Sequence, residues 1–363
     1  MSADPAPDVP AGSFGSAAGA ERDPWDRWFV PLALGILLVA AAIRLPELAL
    51  NPFHHDEGVN GFFTINLVRQ GAYTYDPANY HGPSLYYFAL LSELLFGLTT
   101  EAMRLVPVLF GLLLVGLVFP LRRYVGSVTV LAAGALLAVS PGAVYISRYF
   151  IHESLLVALS LALVVAVTFY LGRREAKYIL AAAVAAALLF TTKETGIITV
   201  GVLLIAVVIG HFYTAWRNPA AIPLEARSRP EAASRSGAAR PKSVWIDGVE
   251  YRQAGGHRST GRAAPFSLGS IPGEHLFGAG AVFLVIYVLL YSSFFTNYPQ
   301  GLIDSLATFT IWTQTGEATQ VQPIYKYLEW MIPIEGPILA LGFVGGLIAA
   351  IRAPSRLWVV IGL

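Results

Sequence analysis

Two short stretches carry side chains whose types and spacing could do chemistry. The first is Asn51-Pro52-Phe53-His54-His55-Asp56-Glu57-Gly58. Adjacent carboxylates set among histidines and apolar residues discourage each other's ionisation, and partial burial raises their pKa. That suits a general base poised near neutral pH. The same residues open a predicted helix running through Val59 to Gln70, and acidic residues also cap helix N-termini. Spacing alone leaves both readings open. The second stretch is His81-Gly82-Pro83-Ser84-Leu85-Tyr86-Tyr87. Three more cationic positions follow: Arg104, Arg148 ahead of Tyr149-Phe150-Ile151-His152-Glu153, and Lys193 beside Glu194. These charges form either local ion pairs, Arg148 with Glu153 and Lys193 with Glu194, or a pocket for a lipid-linked phosphate beside a carboxylate base. His55, Asp56, Glu57 and His81 are also acceptable ligands for a divalent ion, although side chains on one turn cannot all converge on it. The chain has no cysteine, which excludes disulfides, thiolate metal sites and cysteine nucleophiles.

The elements that must position these residues are membrane spans. The chain is 55% hydrophobic and only 13% charged, against roughly a quarter charged in soluble domains. The net charge of +1 raises no global field, so nucleic acid is not an expected partner. Apolar runs fall near 28–48, 104–121, 127–146, 154–171, 178–192 and 196–213, then near 275–295 and 336–351. Helices are expected, because lipid leaves exposed backbone groups unsatisfied. The fold class is therefore an all-α polytopic membrane bundle. Residues 1–27 read as a polar tail without the character of a signal peptide, and the first span is expected to be retained. Residues 214–274 read as a basic flexible loop. Within it, Val244 to Tyr251 place Asp247-Gly248 between two β-prone triplets, a hairpin signal. The segment 275–363 ends inside a further apolar run opening at Leu357, as in a truncated sequence.

Charge orients the bundle. With the N-terminus cytoplasmic, 18 of the 24 Lys and Arg residues fall on the inner side, as the positive-inside rule requires. Ser84 to Thr100 could itself span, which puts the N-terminus outside, moves the loop 51–82 to the inner side and again leaves 18 basic residues inside. It is short and interrupted by Ser92 and Glu93, which better suits a helix lying at the interface. The loop 49–103 is then extracytoplasmic, on the same face as Arg104, Arg148 and Lys193.

A first span, an acidic pair, an interfacial helix, a His-Gly-Pro-Ser-Leu-Tyr-Tyr segment and an arginine opening the next span resemble the GT-C glycosyltransferases. The pattern is similar to the branch of protein O-mannosyltransferases and lipid A aminoarabinose transferases. Within it, Phe53–Gly58 and His81–Tyr87 resemble the membrane proteins named for association with a flippase. The resemblance covers residues 28–213 well and the rest loosely. It implies a GT-C-like bundle with interfacial helices in the first outer loop, and transfer of a sugar from a polyprenyl phosphate with inversion at the anomeric carbon. Asp56 stands at the catalytic acidic position and Glu57 is its partner. Arg104 matches an arginine near the donor phosphate. His81-Gly82-Pro83 stands where relatives carry a Lys- or His-Pro-Pro segment, and the glycine departs from that pattern. His152 and Glu153 occupy a spot where relatives carry an acidic residue. Lys193, placed by its charge and side, completes the expected donor-binding set with Arg148, His55 and Tyr86. The expected partners are a polyprenyl-phosphate-linked sugar, membrane lipid, an acceptor protein or glycan, and a flippase. The rival reading is a flippase partner that binds the lipid-linked sugar without transferring it. A secondary transporter would place its ionisable residues mid-span, whereas these cluster at one face.

Overall fold

A computed structural model describes residues 27–79, 81–217, 243–246, 249–252, 271–315 and 323–352. Apolar runs become helices where expected. They are α1 (Phe29–Arg44), α4 (Thr100–Val118), α6 (Ser127–Val139), α8 (Glu153–Arg173), α9 (Ala176–Phe190), α10 (Gly196–Arg217) and α11 (Gly273–Tyr291). The acidic loop folds as two helices, α2 (His55–Gln70) and α3 (Ser84–Phe96). A 3-10 turn over Phe119–Leu121 leads from α4 into the one-turn α5 (Arg122–Val125), and α7 (Pro141–Ser147) follows α6. Near the end of the chain come α12 (Gln300–Thr315) and α13 (Ile324–Arg352).

Among the described residues, four helical stretches are long and apolar enough to cross a bilayer: Thr100–Val125, Glu153–Arg173, Gly273–Tyr291 and Tyr325–Ile348. Two expectations need correction. The run at 127–146 is not one straight span, because it bends by 61° between α6 and α7. Pro141 cannot donate its N–H into the ladder, and Ser140 caps the new helix by accepting from Ala143 N–H at 3.1 Å. The last span is also longer than 336–351, since α13 begins at Ile324. The expected hairpin pairs Ser243–Ile246 with Val249–Arg252, with Val244 opposite Tyr251. The tail 1–26 and most of the basic loop lie outside the described residues.

Two apolar clusters hold the bundle. One gathers Phe29, Ala40, Val115, Phe119 and Leu131 between α1, α4 and α6. The other lies beneath the loop 49–103 and gathers Leu67, Tyr73, Tyr75, Tyr86, Met103, Phe150, Leu155 and Tyr291. The second cluster positions the site. Its tyrosines tie the loop after α2 to the far end of α11: Ser293 Oγ accepts from Tyr73 N–H at 2.8 Å and from Tyr87 O–H at 2.7 Å. Tyr75 and Thr308 share a hydroxyl hydrogen bond of 2.6 Å, so α12, which the sequence does not announce, becomes part of the same outer layer.

Two buried arginines lock the helix ends together. Arg44 donates to Ser147 Oγ at 3.0 Å and to the carbonyls of Ala138 and Leu137 at 2.7 and 3.0 Å. Those carbonyls close α6, where a cation meets the negative end of the helix dipole. Arg104 does the equivalent work for the loop that leads into α2.

Candidate active site

The paired carboxylates are separated by the fold. Glu57 is fully buried and its side chain turns back beneath the first turn of α2. Its Oε2 accepts from His54 N–H at 3.1 Å, the returning half of a capping box. Its Oε1 accepts from Phe150 N–H at 2.8 Å. Arg104 closes on both oxygens, Nε to Oε1 and Nη2 to Oε2, each at 2.7 Å. Burial alone would push the Glu57 carboxyl up. The bonds from Arg104, Phe150 and His54 outweigh it and hold the group below the usual carboxylate range. Asp56 has the opposite fate. Its side chain is 67% exposed, and its Oδ1 meets His55 Nδ1 at 3.3 Å.

Arg104, expected from the resemblance to lie near a donor phosphate, turns its guanidinium to Glu57 and to backbone carbonyls. Besides Glu57, its Nη1 donates to the carbonyls of Leu48 at 2.5 Å and Asn51 at 2.9 Å, and its Nη2 to Pro52 at 3.3 Å. All five guanidinium N–H groups are thereby taken up, and the side chain packs against the Phe53 ring at 5.2 Å. Arg148 likewise serves the backbone. It donates to Ile43, Arg44 and Glu47 carbonyls at 3.1, 2.9 and 3.3 Å, capping the end of α1. Tyr86 is fully buried, its hydroxyl held between Asn60 Oδ1 at 3.1 Å and Asn79 Nδ2 at 3.2 Å, so it supports the site rather than facing a ligand.

The two charge pairs expected from neighbouring residues are both exchanged for pairs between elements. Lys193 Nζ donates to Glu153 Oε1 at 2.7 Å, and His81 Nδ1 lies 3.0 Å from Glu194 Oε2. The backbone brings them together. His81 and Lys193 form a β-bridge, Gly82 N–H donates to Thr192 O at 3.1 Å, and Ser84 N–H to Thr191 O at 2.9 Å. A Cβ on residue 82 would lie 2.1 Å from Thr191 O, so the close approach of the two segments requires glycine here. His152 sits behind this pair, 4.8 Å from the His81 ring and 5.6 Å from Tyr86. Burial, and then the charges of His81 and Lys193, push its pKa well below the usual imidazole value. It is therefore neutral, and its Nε2 is buried without a hydrogen-bond partner among the described residues.

One segment joins the acidic and cationic halves. Phe150 donates its N–H to Glu57, its carbonyl accepts from Asn60 Nδ2 at 2.9 Å, His152 packs against the His81 ring at a tilt, and Glu153 binds Lys193. Asn60, missed in the sequence, lies three residues after Glu57 on the buried face that continues through Thr64 and Leu67. That helical spacing was the signal available. Beside α2 opens a groove of about 580 Å³, lined by His55, Gly58, Val59, Phe62, Phe63, Asp76, Ala78 and Asn79. The four candidate metal ligands do not meet: Glu57 faces Arg104 and His81 faces Glu194. No three His, Asp or Glu side chains converge on one point among the described residues. The geometry does not fit a bound divalent ion.

Fold and site together define an integral, multi-pass membrane protein with a cluster of polar residues at one end of the bundle around the acidic helix α2. Residues 80–222 match the model of the dolichyl-phosphate-mannose-protein mannosyltransferase family. The fold is similar to that of ArnT from Cupriavidus metallidurans bound to undecaprenyl phosphate, at 16% identity and a TM-score of 0.59, over 93% of this chain and 53% of that one. It is similar to the Saccharomyces cerevisiae protein O-mannosyltransferase Pmt1-Pmt2 complex bound to the sugar donor, at 21% identity and a TM-score of 0.50, over 76% of this chain and 34% of that one. The Archaeoglobus fulgidus oligosaccharyltransferase in complex with Zn and sulfate matches at 14% identity and a TM-score of 0.51, over 91% and 44% of the two chains. No curated protein matches by sequence. The chain thus shares the fold of these membrane transferases, and it spans about half the length of the ArnT chain it matches.

Proposed function

We propose that the protein transfers a sugar from a polyprenyl-phosphate donor to an acceptor hydroxyl on the extracytoplasmic face, with inversion, and that Asp56 is the general base. The observation that carries this reading is the division of labour within the acidic pair. Glu57 is buried and saturated with hydrogen bonds, whereas Asp56 is open to solvent at the start of α2. A base must reach the proton it removes, and of the two only Asp56 can.

In the proposed reaction the acceptor lies in the groove beside His55 and Asp76. Asp56 takes the hydroxyl proton as the acceptor oxygen bonds to the anomeric carbon, and the bond from that carbon to the phosphate oxygen breaks. Polyprenyl phosphate leaves with the electron pair. Lys193, whose side chain is 17% exposed, is the cationic group at hand to stabilise that charge, with the His81 ring, 25% exposed, beside it. Preorganised charge of this kind carries much of the catalysis in such sites. The undecaprenyl phosphate in ArnT and the sugar donor in Pmt1-Pmt2 support the donor class. Purified protein in nanodiscs, offered a panel of polyprenyl-phosphate sugars, is expected to release polyprenyl phosphate and yield an inverted glycoside, read by mass spectrometry and NMR. Donor binding without release from any member would instead make the protein a non-catalytic partner of a flippase.

A further inference from the structure

The face opposite the candidate active site carries a second concentration of charge, mostly basic. Helix α8 runs from Glu153 at the site to Arg173, 21 residues or about 30 Å at 1.5 Å per residue, the thickness of a bilayer's hydrocarbon core. At that far end lie Arg122 and Arg123 of α5, Arg173 and Arg174 closing α8, and Lys177 of α9. Arg123 and Arg173, from different elements, stack on one ring, with guanidinium carbons 5.1 and 5.6 Å from the Phe169 centroid. Tyr124 fixes this junction by donating its hydroxyl to Thr168 O at 3.2 Å.

Neighbouring carboxylates offset the group only in part. Glu175 pairs with Lys177 at 2.5 Å and with Arg173 at 3.8 Å, and Glu274 stands in the first turn of α11, so basic residues remain in excess. Arg174 adopts a left-handed φ of 58°, and its Nη1 is buried with no hydrogen-bond partner among the described residues. Two guanidinium groups sharing a ring, beside a third with an unused buried donor, match the paired oxygens of a phosphodiester. Apolar side chains at the same end are open to the outside, Trp28 at 52% and Val128 at 51% exposure, as acyl chains require.

We propose that Arg123, Arg173 and Arg174 form a headgroup site for an anionic phospholipid in the leaflet opposite the candidate active site. Basic pockets between spans bind phosphate-bearing headgroups in this way, each arginine contributing through both charge and fork. The site holds the α5–α8 junction together by compensating charges that otherwise repel. It requires no reaction at the other face.

Native mass spectrometry of the full chain, released from mixed phosphatidylglycerol and phosphatidylcholine nanodiscs, tests this. Wild type is expected to retain phosphatidylglycerol preferentially, with a preference that falls as ionic strength rises. Arg123→Gln with Arg173→Gln is expected to weaken that retention by about tenfold or more, the loss of two basic contacts, whereas Lys177→Gln changes it little. Free glycerol phosphate at matched concentration is expected not to displace the lipid. Equal retention of the two lipids by wild type overturns the proposal whether or not the variants fold. Undiminished retention in the folded double variant, or displacement by glycerol phosphate, overturns it as well.

Discussion

Asp56 and Glu57 are the same chemistry one residue apart, and the backbone assigns them opposite work. A helix turns by about 100° per residue, so one carboxylate of an adjacent pair can point into the bundle while its neighbour points away. Glu57 points in and meets Arg104, and that ion pair is buried on both sides, with side chains 0% and 5% exposed. Breaking a buried pair leaves an uncompensated charge and costs about 3–5 kcal/mol. Arg104→Ala is therefore expected to lower thermal stability in detergent sharply, and a stability equal to wild type would show the pair to be dispensable. The pH dependence has a definite sign. The Glu57 pKa is lowered in the fold, so its contribution is complete above the ordinary carboxylate range and is lost as pH falls through the folded value. Acid unfolding should steepen there in wild type, and Glu57→Gln should flatten that part of the curve while lowering stability at neutral pH.

At the scale of elements, the site rests on the Arg148–Glu153 segment and on the backbone pairing of residues 81–84 with 191–193. The second depends on close approach at Gly82. Alanine there would drive its Cβ into the Thr191 carbonyl, and overpacking of this kind costs about 1–3 kcal/mol. Gly82→Ala is expected to lower the melting temperature and to weaken donor binding, since it displaces both His81 and Lys193; an unchanged melting temperature would contradict the geometry. Much at this scale was legible in the sequence. Apolar runs of spanning length mark the helices, and Asp-Gly between β-prone triplets marks the hairpin. The 61° break between α6 and α7 was signalled by Ser140-Pro141 but hidden by continuous hydrophobicity. Pairing was not legible. Lys193 and Glu194 are neighbours in the chain, yet they project to different sides and find Glu153 and His81, partners 40 and 113 positions away. Local spacing carries no information about contacts that only tertiary packing creates. The contacts of Arg104, Arg148 and Tyr86 were hidden for a related reason, since a charged or hydroxyl group at a helix end serves buried backbone or a ligand equally well.

For the whole molecule, the account requires the acidic loop and the basic stretches to lie on opposite sides of the bilayer. The absence of native cysteine makes this clean to measure. A cysteine replacing Asn79 is expected to react with an impermeant reagent from outside intact cells, and one replacing Ser236 only after permeabilisation; the reverse pattern would invert the orientation. The bundle itself follows from composition, while the outer layer of α12 and the tyrosines around Ser293 follows from contacts that no apolar run announces. The central claim is that one carboxylate of the pair acts on the acceptor while the other holds the site together. Sugar transfer and donor binding by Asp56→Asn, measured side by side on protein of wild-type stability, test it most directly. Asparagine keeps the shape of aspartate but cannot take the proton, so transfer should fall by about 10²–10⁴ with donor affinity and melting temperature unchanged. Full transfer by Asp56→Asn would contradict the assignment.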